Sequence, residues 1–153
     1  MKIRNVKIVP CDDADEEIII RCREVTEEVK ELKKRLEEET AGDEISLWLH
    51  EREYFIKKSD ILFFETADGK TAAHTKDHMY YTDLRLCELS ASLPRHFMRV
   101  SKSCVLNTRA VSSLRRDLTG IGEAAFAGTE KKVYISRMYY KPFRELLHEE
   151  RQL

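Results

Sequence analysis

From residue 44 onward the chain is a succession of short apolar segments about ten residues apart, and this spacing constrains the fold more than any other feature. EISLWLH, REYFIKK, DILFFETA, KTAAHTK, HMYYTDL, FMRVSKSCVLN, AVSSLRR, EAAFAG and KKVYIS are rich in aromatic or β-branched residues and bounded by Gly, Asp or Ser. Segments this short, about ten residues apart with turn residues between them, predict antiparallel strands and not βαβ units. ADGK at 67–70 holds an Asp-Gly pair, the strongest short hairpin signal; TKDHM and LTGIGE are further turn candidates. Two helices interrupt or close the series. Leu86, Leu89 and Leu93 lie at helical spacing before Pro94, and a last helix over about 138–149 would bury Tyr139, Phe143, Leu146 and Leu147. Pro142 fits that helix best if it effectively starts near Lys141, since an interior proline loses a hydrogen bond.

The first 44 residues differ. KIRNVKIVP and EIIIRC suggest two strands joined by an acidic CDDADE turn. VTEEVKELKKRLEEE then places Val25, Val29, Leu32 and Leu36 on one helical face, with Thr26 as N-cap and Glu27 and Glu28 where the helix dipole favours acids. That apolar face must pack on something, either the chain's own sheet or a second copy in a homodimer. The fold class is therefore mostly antiparallel β with a few short helices, preceded by a β-β-α segment, with a boundary between 1–44 and 45–153.

Charge divides along the chain as well. Residues 1–59 carry 12 Lys+Arg and 16 Asp+Glu, a net of −4, whereas residues 60–153 carry 15 and 12, a net of +3. From Arg95 to Arg116 there are six cations (Arg95, Arg99, Lys102, Arg109, Arg115 and Arg116) and no Asp or Glu. A surface that meets a polyanion cannot carry carboxylates without repulsion, so this window is the candidate nucleic-acid face. Within it RVSKSCVLN is the most informative stretch. Its small-residue turn sets a Lys between two hydroxyls, a grouping suited to holding phosphate while the Lys reaches a base edge. A solvated strand edge is the plain alternative.

Enzymatic readings fare worse. A Ser-Lys nucleophile pair would need Ser101 and Lys102 on one face, and in an extended segment they point opposite ways. His74 and His78 have a metal-pair spacing but bracket a predicted hairpin turn, and no Cys or carboxylate nearby completes a ligand set. TGIGE lacks the strand-before, helix-after context of a nucleotide loop. No cofactor is implied. The four cysteines (Cys11, Cys22, Cys87, Cys104) form no CxxC pair and lie in or beside apolar segments, which predicts free, mostly buried thiols. No apolar run approaches the roughly 18 residues of a membrane span, and the N-terminus does not resemble a signal peptide, so the expected location is cytoplasmic.

Three blocks, DILFFETADGKTAAHTKD, LRLCELSASLPRHFMRVSKSCVLNTRAVSSL and KKVYISRMYYKPFREL, resemble the LytTR DNA-binding domain over residues 45–150. The resemblance implies a bacterial transcription regulator that is not a helix-turn-helix. Such proteins insert loops into successive major grooves of direct-repeat sites and commonly bend the DNA. By the same resemblance Lys102 in SKS and Arg137 in ISR are base-contacting positions. A third lies in the turn after FFE, where the shorter loop of this chain leaves Gly69 or Lys70 nearest, and Lys70 is the assignment. Arg99, Ser101, Ser103, Arg115 and Arg116 would then hold phosphates and set register. Many members carry a receiver domain ahead of this part; about 44 residues precede it here, which matches the stand-alone subgroup. The competing reading is a protein-interaction module that keeps the fold without tight DNA binding.

Overall fold

The computed structural model describes residues 18–40 and 42–151, and the chain divides into two units, Met1–Ala41 and Gly42–Leu153. In the first unit the described part is a helix, α1 (Glu27–Thr40), preceded by irregular backbone. Thr26 caps it as its composition predicts: the Val29 N–H donates to Thr26 Oγ1 at 3.3 Å. Glu27–Lys30 and Lys33–Glu37 ion pairs lie along its exposed surface. Val29 is buried and Leu32 and Leu36 half-buried, whereas Val25 is exposed. The strand expected over EIIIRC does not form: Ile18–Cys22 have no regular structure, and Ile18 and Ile19 are exposed. A β-branched run favours extended backbone but becomes a strand only with a partner to bond. The strand expected over residues 2–10 and the CDDADE turn lie outside the described residues.

The second unit contains ten strands, all paired antiparallel: β1 (Glu44–Leu49), β2 (Arg52–Lys57), β3 (Phe63–Ala67), β4 (Lys70–His74), β5 (Met79–Thr82), β6 (Phe97–Ser101), β7 (Cys104–Asn107), β8 (Val111–Arg116), β9 (Gly122–Phe126) and β10 (Lys132–Ile135). Seven form one sheet in the order β2-β1-β5-β4-β3-β7-β6, and three form a second, β10-β9-β8. Two helices accompany them, α2 (Leu86–Ser92) and α3 (Arg137–Glu150).

The large sheet is covered on both faces, which is why its central strands read as unbroken apolar runs. Along β3, Phe63 joins a core shared with Phe126, Val133, Ile135 and the α3 residues Tyr140, Phe143 and Leu147. Its neighbour Phe64 joins the opposite core with Leu47, Tyr80, Phe97 and the α2 residues Leu86 and Leu89. Cys104 and Leu106 alternate with Val105 in the same manner.

Three sequence expectations need correction. FMRVSKSCVLN is two strands joined by a tight turn, not one, as described below. The last helix begins at Arg137, with Pro142 inside it and not near its start. The missing Pro142 N–H deprives the Met138 carbonyl of its partner, and Met138 sits on the solvent side at 72% exposure, where water can replace the bond. Of the three cysteines described, only Cys104 is buried; Cys22 and Cys87 are exposed free thiols.

Candidate nucleic-acid interface

Four loops meet at one end of the second unit. The β3–β4 hairpin closes on Asp68 (φ 54°) and Gly69 (φ 74°), both left-handed, so it is a two-residue turn of the primed type that Asp-Gly favours. Lys70 follows it at the start of β4, exposed, its ammonium 6.0 Å from the Tyr81 ring centre.

The β6–β7 hairpin is as tight. Ser101 pairs with Cys104, leaving Lys102 and Ser103 as the turn. Lys102 is therefore a turn residue, and strand alternation does not set it opposite its serines. The Ser103 N–H donates to Ser101 Oγ at 3.3 Å, and Arg99 latches the turn from below. The Arg99 Nε–H donates to the Ser101 carbonyl (2.9 Å) and Nη2 to the Lys102 carbonyl (2.5 Å). The register slips at Val100, a bulge whose carbonyl accepts from the Ser136 N–H at 2.9 Å. Strand β6 thereby holds both the SKS turn and the start of α3. The Thr66 N–H donates to the Ser103 carbonyl (2.9 Å), which fastens the β3 end to the same turn.

Arg137 is the first residue of α3, and the β8–β9 loop lies against it. Asp117 organises that loop: its Oδ1 accepts from the backbone N–H groups of Thr119 (2.8 Å) and Ile121 (3.0 Å) and from Thr119 Oγ1 (2.5 Å). These bonds, the hydroxyl's first, hold the exposed Asp117 carboxyl below the ordinary range. Gly120 takes the left-handed φ of 90° that disfavours a side chain, and a Cβ there would stand 3.2 Å from Arg137 Cγ, closer than ordinary contact. Arg116 lies over the Tyr140 ring, 4.6 Å from its centre. Between the SKS turn, β10 and the start of α3 opens a groove of about 500 Å³ lined by Glu65, Ser101, Ser103, Cys104, Tyr134 and Arg137 among others.

The cations are not equivalent. Arg115 is paired with Glu123 at 2.9 Å, and Lys132 reaches the same carboxylate at 3.4 Å. The Arg115 hydrogen bond is the main reason the Glu123 carboxyl sits below its ordinary range. Arg95 pairs with Glu149 at 3.0 Å. The window free of acids in sequence is thus supplied with them in space, from β9 and α3. Arg99 is committed to the turn and Arg116 to Tyr140. Lys102 and Arg137 are exposed, and their side chains form no hydrogen bond or ion pair among the described residues.

One pairing here has no signal in the sequence pattern. Glu65 Oε1 lies 2.8 Å from Nε2 of buried His74, which stacks on Phe63 at 4.3 Å. The burial that depresses the His74 pKa outweighs the opposing Glu65 contact. His78 is exposed, beside Tyr80. The LytTr DNA-binding domain profile matches residues 51–148. This chain belongs to the LytTR family. Uncharacterized HTH-type transcriptional regulators of Staphylococcus aureus, strains bovine RF122 and NCTC 8325, are 31% identical over 94 residues, which is 61% of this chain. The match spans 63% of the length of those relatives. A LytTr DNA-binding domain from Bacillus cereus superposes with a TM-score of 0.65 at 20% identity, over 70% of this chain and 98% of that one. The LytTR architecture here is two antiparallel sheets; α2 and α3 are separated by five strands and form no helix-turn-helix. Among the described residues, no helix is long and apolar enough to cross a membrane.

Proposed function

We propose that this LytTR protein is a sequence-specific, DNA-binding transcriptional regulator of the cytoplasm, without catalytic activity, whose loops enter successive major grooves of a direct-repeat site. The observation that carries the reading is the pair of uncommitted cations, Lys102 and Arg137, on two loops fastened to the same strand, β6. Each donates to guanine O6 and N7 in this reading, the commonest specific contact in a major groove. Lys70 is the third reader, on the neighbouring hairpin. Phosphates take the Ser101 and Ser103 hydroxyls, Arg116 and the uncapped N–H groups at the start of α3, where the helix dipole favours an anion. Arg99 and Arg115, tied to the turn and to Glu123, contribute through the shape of the loops.

The ion-paired arginines favour one competitor, an interaction module that does not bind DNA tightly. Fluorescence anisotropy on a duplex selected from a random library separates the two. Lys102→Ala and Arg137→Ala should each weaken the selected duplex by about 1–3 kcal/mol and leave a scrambled duplex nearly unaffected. Failure of the selection to yield any duplex bound well above background would favour the interaction module.

A further inference from the structure

Strand β2 ends the large sheet, and among the described residues nothing pairs with its outer side. Its register on β1 runs without slip over all six residues, REYFIK, with no proline, glycine or bulge. Proline and bulges are two of the devices that keep an edge strand from adding another chain. Charge is a third, and β2 does carry Arg52, Glu53 and Lys57, with Glu53 accepting from Ser46 Oγ, so an added strand must match those charges. Which backbone groups face outward follows from one bond. The Lys58 N–H donates to the Asp43 carbonyl at 2.7 Å, continuing the register of Glu44 with Lys57. Bonded pairs alternate along an antiparallel ladder, so Arg52, Tyr54 and Ile56 bond to β1. Glu53, Phe55 and Lys57 therefore direct both N–H and C=O away from the sheet. Tyr54 and Ile56 turn their side chains onto the core, whereas Phe55 is 65% exposed and Trp48, on the adjacent strand, 46%.

We propose that β2 pairs antiparallel with β2 of a second copy about a twofold axis through Phe55, joining two seven-stranded sheets. This register sets the three outward-facing residues against one another. Phe55 meets Phe55, Glu53 of each copy meets Lys57 of the other, and every one of these pairs can exchange both main-chain bonds. Opposite charges fall together only because the sequence places Glu and Lys symmetrically about Phe55. The contact is isologous, so each patch complements itself. It is also small, and its affinity should be modest, with a dissociation constant on the order of 10 µM. A twofold reverses polarity, so this pairing joins copies on separate sites and not the two copies on one direct repeat. None of the cations assigned to DNA lies on β2, so the pairing stands or falls apart from the DNA reading.

Sedimentation velocity of the full chain from 1 to 200 µM tests it, with thermal melting as the check on folding. Wild-type protein should show a monomer–dimer equilibrium. Lys57→Glu should weaken it at least tenfold, and Glu53→Lys with Lys57→Glu should restore it to within about threefold, because the swap recreates both charge pairs. Phe55→Pro should abolish the dimer with little change in melting temperature, since the N–H it removes faces outward and serves no bond to β1. A monomer at every concentration would overturn the proposal. So would a dimer untouched by Lys57→Glu, a double variant that fails to recover, or a dimer lost in folded Leu32→Lys while Lys57→Glu retains it, which would assign the contact to the α1 face.

Discussion

Arg99 separates two accounts of the basic surface. Its guanidinium donates to the carbonyls of Ser101 and Lys102, at 2.9 and 2.5 Å, and is half-buried against the turn it holds. A well-sheltered hydrogen bond from a charged donor is worth roughly 1.5–3 kcal/mol. Here one of the two is exposed, and in Arg99→Ala water would replace part of both, so the net loss should be about 1–2 kcal/mol. For a unit of this size that lowers the melting temperature by roughly 5–10 °C. The released turn must then be reordered on DNA, at a cost of about 1 kcal/mol, or about fivefold in affinity. No phosphate contact disappears, so the slope of log affinity against log salt should be unchanged. The assay is a thermal melt beside anisotropy titrations at three salt concentrations. An unchanged melting temperature with a salt slope shallower by about one would refute the latch and return Arg99 to the phosphates.

Other consequences concern the loops and the buried groups. Gly120→Ala puts a side chain at φ 90° and against Arg137, so it should cost about 1–3 kcal/mol in a urea titration and weaken specific DNA binding alongside. His74 should make stability fall with acid. Burial lowers its folded-state pKa below the unfolded value, so as pH drops through the unfolded value the unfolded chain takes the proton first and the native state loses ground. The loss accumulates until pH passes the folded value, and His74→Gln should flatten the curve between pH 7 and 5 in denaturant titrations. Burial pushes the Cys104 thiol up to about 12, so alkylation of native protein at pH 8 should spare Cys104 and modify Cys22 and Cys87, as peptide mapping would show.

Much of the fold is legible where local chemistry decides the outcome. The Asp-Gly hairpin at 68–69, the Thr26 cap and the Leu86/Leu89/Leu93 helix each rest on a few neighbouring residues, and each forms. The SKS hairpin was harder to see because neither of its turn residues has a positive φ, so no glycine or asparagine marks it. Its closure depends on Arg99 and on the bulge at Val100, features that exist only once β7 has folded back. The start of α3 is set by the Ser136 bond to Val100, which outweighs the local preference that Pro142 expresses. The same limit applies to charge. Glu149 lies 54 residues from Arg95 and Glu123 on the next strand from Arg115, so a one-dimensional window does not reveal which cations are ion-paired and which, like Lys102 and Arg137, are not.

The Val100 bulge also acts as a ruler. Through its carbonyl the strand that leads into the Lys102 turn grips the residue before Arg137, so the backbone positions from which those two side chains reach out are tied by a main-chain bond. DNA offers its base edges at increments of about 3.4 Å along the axis, each rotated by a tenth of a turn. In the functional reading proposed here, backbone anchors tied this closely favour one separation between the base pairs under the two residues. Inserting a single pair between them should act like a wrong letter in both positions at once, and no substitution at Lys102 or Arg137 alone would relieve it.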